Sequence, residues 1–271
     1  MSQQQSQTIQ HLFLCAVGRS GTTIFRTSLG LHPDIYYNNR ENNVVQDILE
    51  VAEKNCKLQS RQYSMVVEQK EYDAVFRSAI TQLIWPDRAL AARPIRFAAI
   101  NPAGDQMDYL CQVFPDAKIV CLVRNGIEVV SSRIRYRSFA DHEFENHCQV
   151  WKRSQPIVQW GEQNPDRFRL FRHEWFYDEF TIRAKLSALS SWMGIRLADE
   201  PADNILNCLR HPTQEKETNS PDFEQLSAEE KANYFQEKSE RWKSWTEEQR
   251  SMFQELCGGF MSELEYEIPW N

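Results

Sequence analysis

The chain has 271 residues, of which 41% are hydrophobic and 25% charged, and its formal net charge is -7. That length suits one large domain or two small ones, and the composition excludes a disordered or fibrous chain. The acidic balance argues against broad nucleic-acid binding. No apolar run is long enough to span a membrane, and the opening MSQQQSQTIQ lacks the regions of a signal peptide, so a cytoplasmic location is expected.

In chain order, the Gln/Ser-rich residues 1–10 are expected to form a frayed tail, and 11–271 a single domain. Short apolar or β-branched runs at 11–17, 34–37, 95–100, 118–123 and 167–172 alternate with stretches of helical character. Near-continuous apolarity in the first and fourth runs suits strands covered on both faces. The pattern predicts an α/β fold with a central parallel sheet flanked by helices. A helix is expected over 178–193, with Ile182, Leu186, Leu189 and Met193 facing inward and Gly194 ending it. The polar segment 211–231, with two prolines, reads as a surface loop or a lid. The last helix carries Phe253, Leu256, Phe260 and Leu264 on one face, with Thr246 and Gln249 spaced as a capping box.

The cysteines, at 15, 56, 111, 121, 148, 208 and 257, are odd in number and never spaced Cys-x-x-Cys, which points to reduced thiols. His142 and His147 stand five apart, which suits neither one helix face nor a metal pair. No metal site is expected.

One segment carries chemistry. The apolar run Leu12–Val17 leads into Gly18-Arg19-Ser20-Gly21-Thr22-Thr23, and Ile24, Phe25, Ser28 and Leu29 then suggest a helix. Glycines at 18 and 21 let the backbone curl until several N–H groups point at one anion, the helix N-terminus adds its positive dipole end, and Arg19 adds full charge. A plain strand-to-helix turn needs only one glycine and a cap. The P-loop of nucleotide kinases, Gly-x-x-x-x-Gly-Lys-[Ser/Thr], does not match, because Thr22 follows Gly21 where lysine belongs.

The segment Gly18–Thr23, followed by His32-Pro33-Asp34-Ile35, resembles the opening of bacterial and tyrosylprotein sulfotransferases. A second stretch of the same signature is present from Phe114-Pro115-Asp116 through Val123-Arg124-Asn125-Gly126 to Ser131-Ser132. The resemblance implies a P-loop-like parallel sheet and use of 3′-phosphoadenosine 5′-phosphosulfate (PAPS) as co-substrate, without a metal. It implies that Arg19, Ser20, Gly21, Thr22 and Thr23 hold the 5′-phosphosulfate, while Arg124 and Ser132, eight residues apart, hold the 3′-phosphate. Arg172-His173-Glu174-Trp175-Phe176 and Ser239-Glu240-Arg241-Trp242 resemble later family segments. By that analogy Arg241 contacts the donor's phosphates, with a solvated charge as the alternative. Arg133, Arg135 and Arg137 form a basic run in which Arg135 is expected to turn inward.

Sulfuryl transfer passes through a loose transition state in which positioning and fixed positive groups do most of the work. Arg19 is the candidate for that role. Glu41, after the second strand, lies within one residue of where glutamate-using relatives carry their base; the alternative is an exposed helix entry with Asn43 and Gln46 as a capping pair. Many relatives have a lysine just before the second motif, but this chain reads Ala99-Ile100-Asn101-Pro102. The expected activity is transfer of the sulfuryl group to a hydroxyl or amine of a small molecule or glycan. A non-catalytic module that binds PAPS or its bisphosphate product, and a P-loop nucleotide kinase, are the alternatives.

Overall fold

A computed structural model describes residues 9–41, 43–62, 68–86, 93–100, 106–196, 199–210, 227, 230, 237 and 240–270, with backbone alone at 38–41, 43, 55–62 and 208–210. Strands β1 (Gln10–Cys15), β2 (Ile35–Glu41), β3 (Ile95–Ile100), β4 (Lys118–Val123) and β5 (Phe168–Arg172) form one sheet in the order β2-β3-β1-β4-β5. Every pairing is parallel. All five expected strands are present, and β1 begins at Gln10, inside the stretch read as tail.

Side chains alternate strictly across this sheet, as the period of two demands. Phe13, Cys15, Ile119 and Cys121 enter one core, together with Leu49 of helix α2 (Asn43–Gln62), Trp151 of α6 (Phe144–Lys152) and Phe253 of α10 (Glu247–Glu263). Leu12, Leu14, Val120 and Leu122 enter the other, against Phe25 of α1 (Thr22–Leu29), Leu186 of α8 (Glu179–Met193) and Ile205 of α9 (Glu200–Arg210). A strand buried on both faces has no polar side to show, which explains the unbroken apolar runs of β1 and β4. The other described α-helices are α3 (Gln69–Ile84), α4 (Met107–Val113), α5 (Gly126–Arg135) and α7 (Gln155–Gln163).

Local signals hold where the chain alone controls them. Helix α8 starts on the Asp178 side chain, which accepts from the Thr181 amide, and ends on Gly194 at φ 72°. Both halves of the Thr246–Gln249 capping box form at the start of α10, and Phe253, Phe260 and Leu264 are buried while Leu256 is partly so. Cys15, Cys111, Cys121, Cys148 and Cys257 are free and buried. Burial pushes the Cys121 thiol up to about 12, so it serves as a small hydrophobe at neutral pH. The tail residues 1–8, Asn101–Pro102 and most of 211–231 lie outside the described residues.

The topology decides where a ligand can go. The chain leaves β1 through α1 toward β2 at one edge, and leaves β4 through α5 toward β5 at the other. The connections diverge between β1 and β4, so a crevice opens at their carboxyl ends, the position at which open α/β sheets bind ligands. Cys15, the last residue of β1, pairs with Cys121, and β4 runs on beside the turn to Val123. No helix among the described residues is long and apolar enough to cross a membrane.

Candidate functional site

The turn after β1 combines two left-handed residues, Arg19 at φ 79° and Gly21 at φ 87°. Gly21 caps α1, whose ladder begins with the Phe25 amide on the Gly21 carbonyl. The first helical amides, at Thr22 to Ile24, therefore have no partner within the helix and face the crevice mouth as donors. Alternating backbone hands make a concave row of N–H groups, and a non-glycine residue held at positive φ is a strained position of the kind that clusters at ligand sites. The hydroxyls of Ser20 and Thr22 are buried and lack a hydrogen-bond partner among the described residues. Orphaned hydroxyl donors in a cradle of amides suit an oxyanion.

Gly21 is needed for a second reason. A Cβ there would stand 2.3 Å from His173 Cδ2, on the 3₁₀ turn His173–Tyr177 that follows β5. The segment Arg172–Phe176 thus closes on the cradle from the β5 side. Gly21→Ala is expected to destabilise the fold by about 1–2 kcal/mol from the left-handed backbone alone, with the clash added. A drop in the urea midpoint together with lost nucleotide binding would bear this out, and an unchanged midpoint would refute it.

The second motif meets the first directly. Arg124 leaves the end of β4, and its Nη1 donates to the carbonyl of Arg19 at 3.3 Å. Arg19 Nε in turn donates to Ser132 Oγ at 3.0 Å, and the Arg19 guanidinium lies 4.5 Å from the centre of the Tyr136 ring. Arg19, Arg124 and Ser132 are consequently one connected unit, although Arg19 and Ser132 are 113 positions apart in the chain. Helix α5 is fitted closely to this end of the sheet. Asn125 caps it through its side chain, and a Cβ on Gly126 would approach Trp151 Cε2 to 2.8 Å, while the Trp151 indole N–H donates to the Arg124 carbonyl at 3.0 Å.

Arg124 also holds a partner that the motif does not announce. Glu128 Oε2 accepts from its Nε at 2.8 Å and its Nη2 at 2.5 Å. Those bonds and the one to Arg19 leave two of the guanidinium's five N–H groups for an anion. Burial works against the Arg124 charge, but Tyr177, Glu128 and Glu174 more than offset it and hold its pKa above the ordinary arginine value. The i, i+4 spacing of Arg124 and Glu128 is the signal that would have found this pair. Glu174 accepts from the Asn125 amide at 2.8 Å and from the Tyr266 hydroxyl at 2.8 Å, tying the chain after α10 to the same junction.

The expected inward arginine is corrected. Arg133, not Arg135, is buried, at 5% exposure, and Arg135 is exposed. Helical geometry turns residues two apart to opposite sides, so only one of them can face the cradle. Arg241 is partly buried in the 3₁₀ turn Arg241–Ser244, which packs against α5, so this late element does reach the helix that bears Ser132. The backbone of Glu41 ends β2 opposite Ala99 of β3, and Ala99 lies beside Leu14 of β1. Glu41 is therefore level with the strand end that leads into the cradle; its side chain lies outside the described residues. His142 is exposed and His147 buried, and no group of acidic, His or Cys residues suited to a metal occurs among the described residues.

Comparison with known proteins follows the same lines. The model of the sulfotransferase family matches residues 11–199. A protein-tyrosine sulfotransferase of Drosophila melanogaster is 27% identical over 154 residues, covering 54% of this chain and 30% of that protein, so the chain spans less than a third of the relative's length. The sulfotransferase domain of the Synechococcus PCC 7002 olefin synthase superposes with a TM-score of 0.56 at 17% identity, covering 99% of both chains. The sulfotransferase domain of the curacin biosynthetic pathway gives a TM-score of 0.56 at 18% identity, over 97% of this chain and 99% of that one. Those two likenesses establish the fold, and the match over 11–199 establishes kinship: this chain belongs to the sulfotransferase family.

Proposed function

We propose that the protein transfers the sulfuryl group of PAPS to a hydroxyl or amine of a small molecule or glycan. The observation that supports this reading is the joined unit of Arg124, Arg19 and Ser132 beside the amide cradle, because it brings the second motif into hydrogen-bonding contact with the first. The first suits the 5′-phosphosulfate, held by Ser20, Gly21, Thr22 and Thr23. The other suits the 3′-phosphate, held by Arg124 and Ser132, with Arg241 on the turn packed against α5 as a further contact to the donor. A ligand phosphorylated at both ends of one adenosine matches that pair, whereas a nucleoside triphosphate concentrates its charge at one end.

In this reading Glu41 accepts the proton of the acceptor hydroxyl as its oxygen bonds to sulfur. The bond from sulfur to the 5′-phosphate oxygen breaks, and the bisphosphate leaves. Arg19 and the first amides of α1 face the charge that develops on the sulfuryl and bridging oxygens, which is the part of the reaction that fixed dipoles accelerate most. With the family's lysine replaced in Ala99-Ile100-Asn101-Pro102, Arg19 is the cation that serves the leaving oxygen.

Calorimetry tests the donor. 3′,5′-Adenosine bisphosphate is expected to bind in preference to ATP with Mg²⁺; the reverse preference would make the cradle a kinase site and overturn the proposal. Transfer from labelled PAPS to a panel of phenols, amines and sugars tests the chemistry. Tight bisphosphate binding with no transfer to any acceptor would leave a binding module instead of an enzyme.

A further inference from the structure

Arg133 follows Ser132 on α5, and nothing in the donor reading uses it. Its side chain is 5% exposed, and its Nε is buried without a hydrogen-bond partner among the described residues. A Cβ placed on Gly18, the first glycine of the cradle, would lie 3.7 Å from Arg133 Nη1, so the guanidinium abuts the start of the anion-binding turn. It stacks 4.3 Å from the centre of the Phe139 ring, and Phe139 packs in turn on Tyr136, under which Arg19 lies.

Among the described residues, the charges that act on Arg133 share its sign. Burial disfavours its protonated form, and Arg153 and Arg19 add to that, while Arg133 in turn disfavours protonation of His147. Among the described residues no carboxylate forms an ion pair with it. A buried guanidinium facing cations lacks the compensation that a buried charge needs, and an oxyanion would supply it.

Successive residues of an α-helix point about 100° apart, so Arg133 leaves α5 on a different side from Ser132, which holds the donor's 3′-phosphate in the reading above. The cradle amides lie beyond Gly18, on the α1 side of the turn. We infer that Arg133, with Arg19 beside it, receives an oxyanion of the sulfuryl acceptor, so that the acceptor is a hydroxyl or amine compound carrying a carboxylate, phosphate or sulfate ester. The word acceptor here rests on the donor reading above; the oxyanion site itself does not.

The test follows the Nε–Hε resonance of Arg133 in the ¹⁵N-labelled full chain, assigned by its loss in Arg133→Lys. With 3′,5′-adenosine bisphosphate saturating, inorganic phosphate is titrated, and chloride at matched ionic strength is the control. The expected result is a saturable movement of the Arg133 resonance with phosphate alone. By calorimetry, Arg133→Gln should weaken phosphate binding roughly tenfold through loss of a charge-assisted contact and leave bisphosphate affinity within about twofold. A resonance that moves with the bisphosphate and then ignores phosphate would assign Arg133 to the donor and overturn the inference, as would indifference to both. If the bisphosphate fails to bind at all, the donor reading falls by itself. Phosphate titration of the nucleotide-free chain then decides Arg133, saturable movement supporting the oxyanion site and its absence refuting it.

Discussion

Replacing Glu41 by glutamine is expected to lower sulfuryl transfer by about 10²–10⁴-fold, the range that a positioned general base contributes, while bisphosphate binding stays unchanged. The substitution keeps the shape of the side chain and removes only its ability to take a proton, so the effect should fall on kcat and not on the donor's Kd. The argument is one of register. Glu41 pairs with Ala99, Ala99 with Leu14, and Leu14 with Val120, so the ends of β2 and β1 share one layer beside the middle of β4. With neighbouring strands about 4.8 Å apart, the Glu41 backbone lies roughly 10 Å from the end of β1, a separation that the side chain and an intervening acceptor can fill. A variant that keeps transfer within a few-fold of the parent would remove Glu41 from the mechanism.

Arg124→Ala is expected to weaken 3′,5′-adenosine bisphosphate by about 10²-fold or more, since hydrogen bonds to charged groups contribute about 1.5–3 kcal/mol each and the two N–H groups left over by Glu128 and Arg19 would both be lost. The same change removes the prop under the Arg19 carbonyl and leaves the Glu128 carboxylate, 25% exposed, without its counter-charge. A stability loss of about 1–3 kcal/mol should accompany it. Glu128→Ala separates the two effects. It frees the Nε and Nη2 of Arg124, so bisphosphate affinity should hold or rise even though the ion pair is gone. If Glu128→Ala weakened the nucleotide as much as Arg124→Ala, Arg124 would be a brace for the turn and not a ligand for the phosphate.

Much of this molecule is local and therefore legible along the chain. Strands β1 and β4 announce themselves because a strand covered on both faces must be apolar throughout, and the other three show as shorter apolar or aromatic runs. The ends of α8 and α10 announce themselves because caps are built from residues within three or four positions, Asp178 with Thr181 and Thr246 with Gln249. The cradle is legible for the same reason, since a strand, two glycines and a helix start lie within one short run.

The faults in that reading lie where distant segments meet. Arg133 and Arg135 are alike as letters, and which of them turns inward depends on the rotation of α5, which the close approach of Gly126 to Trp151 of α6 sets. That Arg124 reaches the Arg19 carbonyl, that Glu174 and Tyr266 meet behind Asn125, and that His173 leaves no room for a side chain on Gly21 are facts of packing between elements far apart in sequence.

By itself, then, the sequence determined the strands, the caps, the cradle and the spacing of Arg124 from Ser132, because each depends on neighbours along the chain. Only the tertiary structure decided that cradle and second motif form one unit and that Arg133 abuts it with no ion-pair partner among the described residues. The reason is the sheet order, which sends the chain from β1 and β4 to opposite edges and leaves their ends side by side.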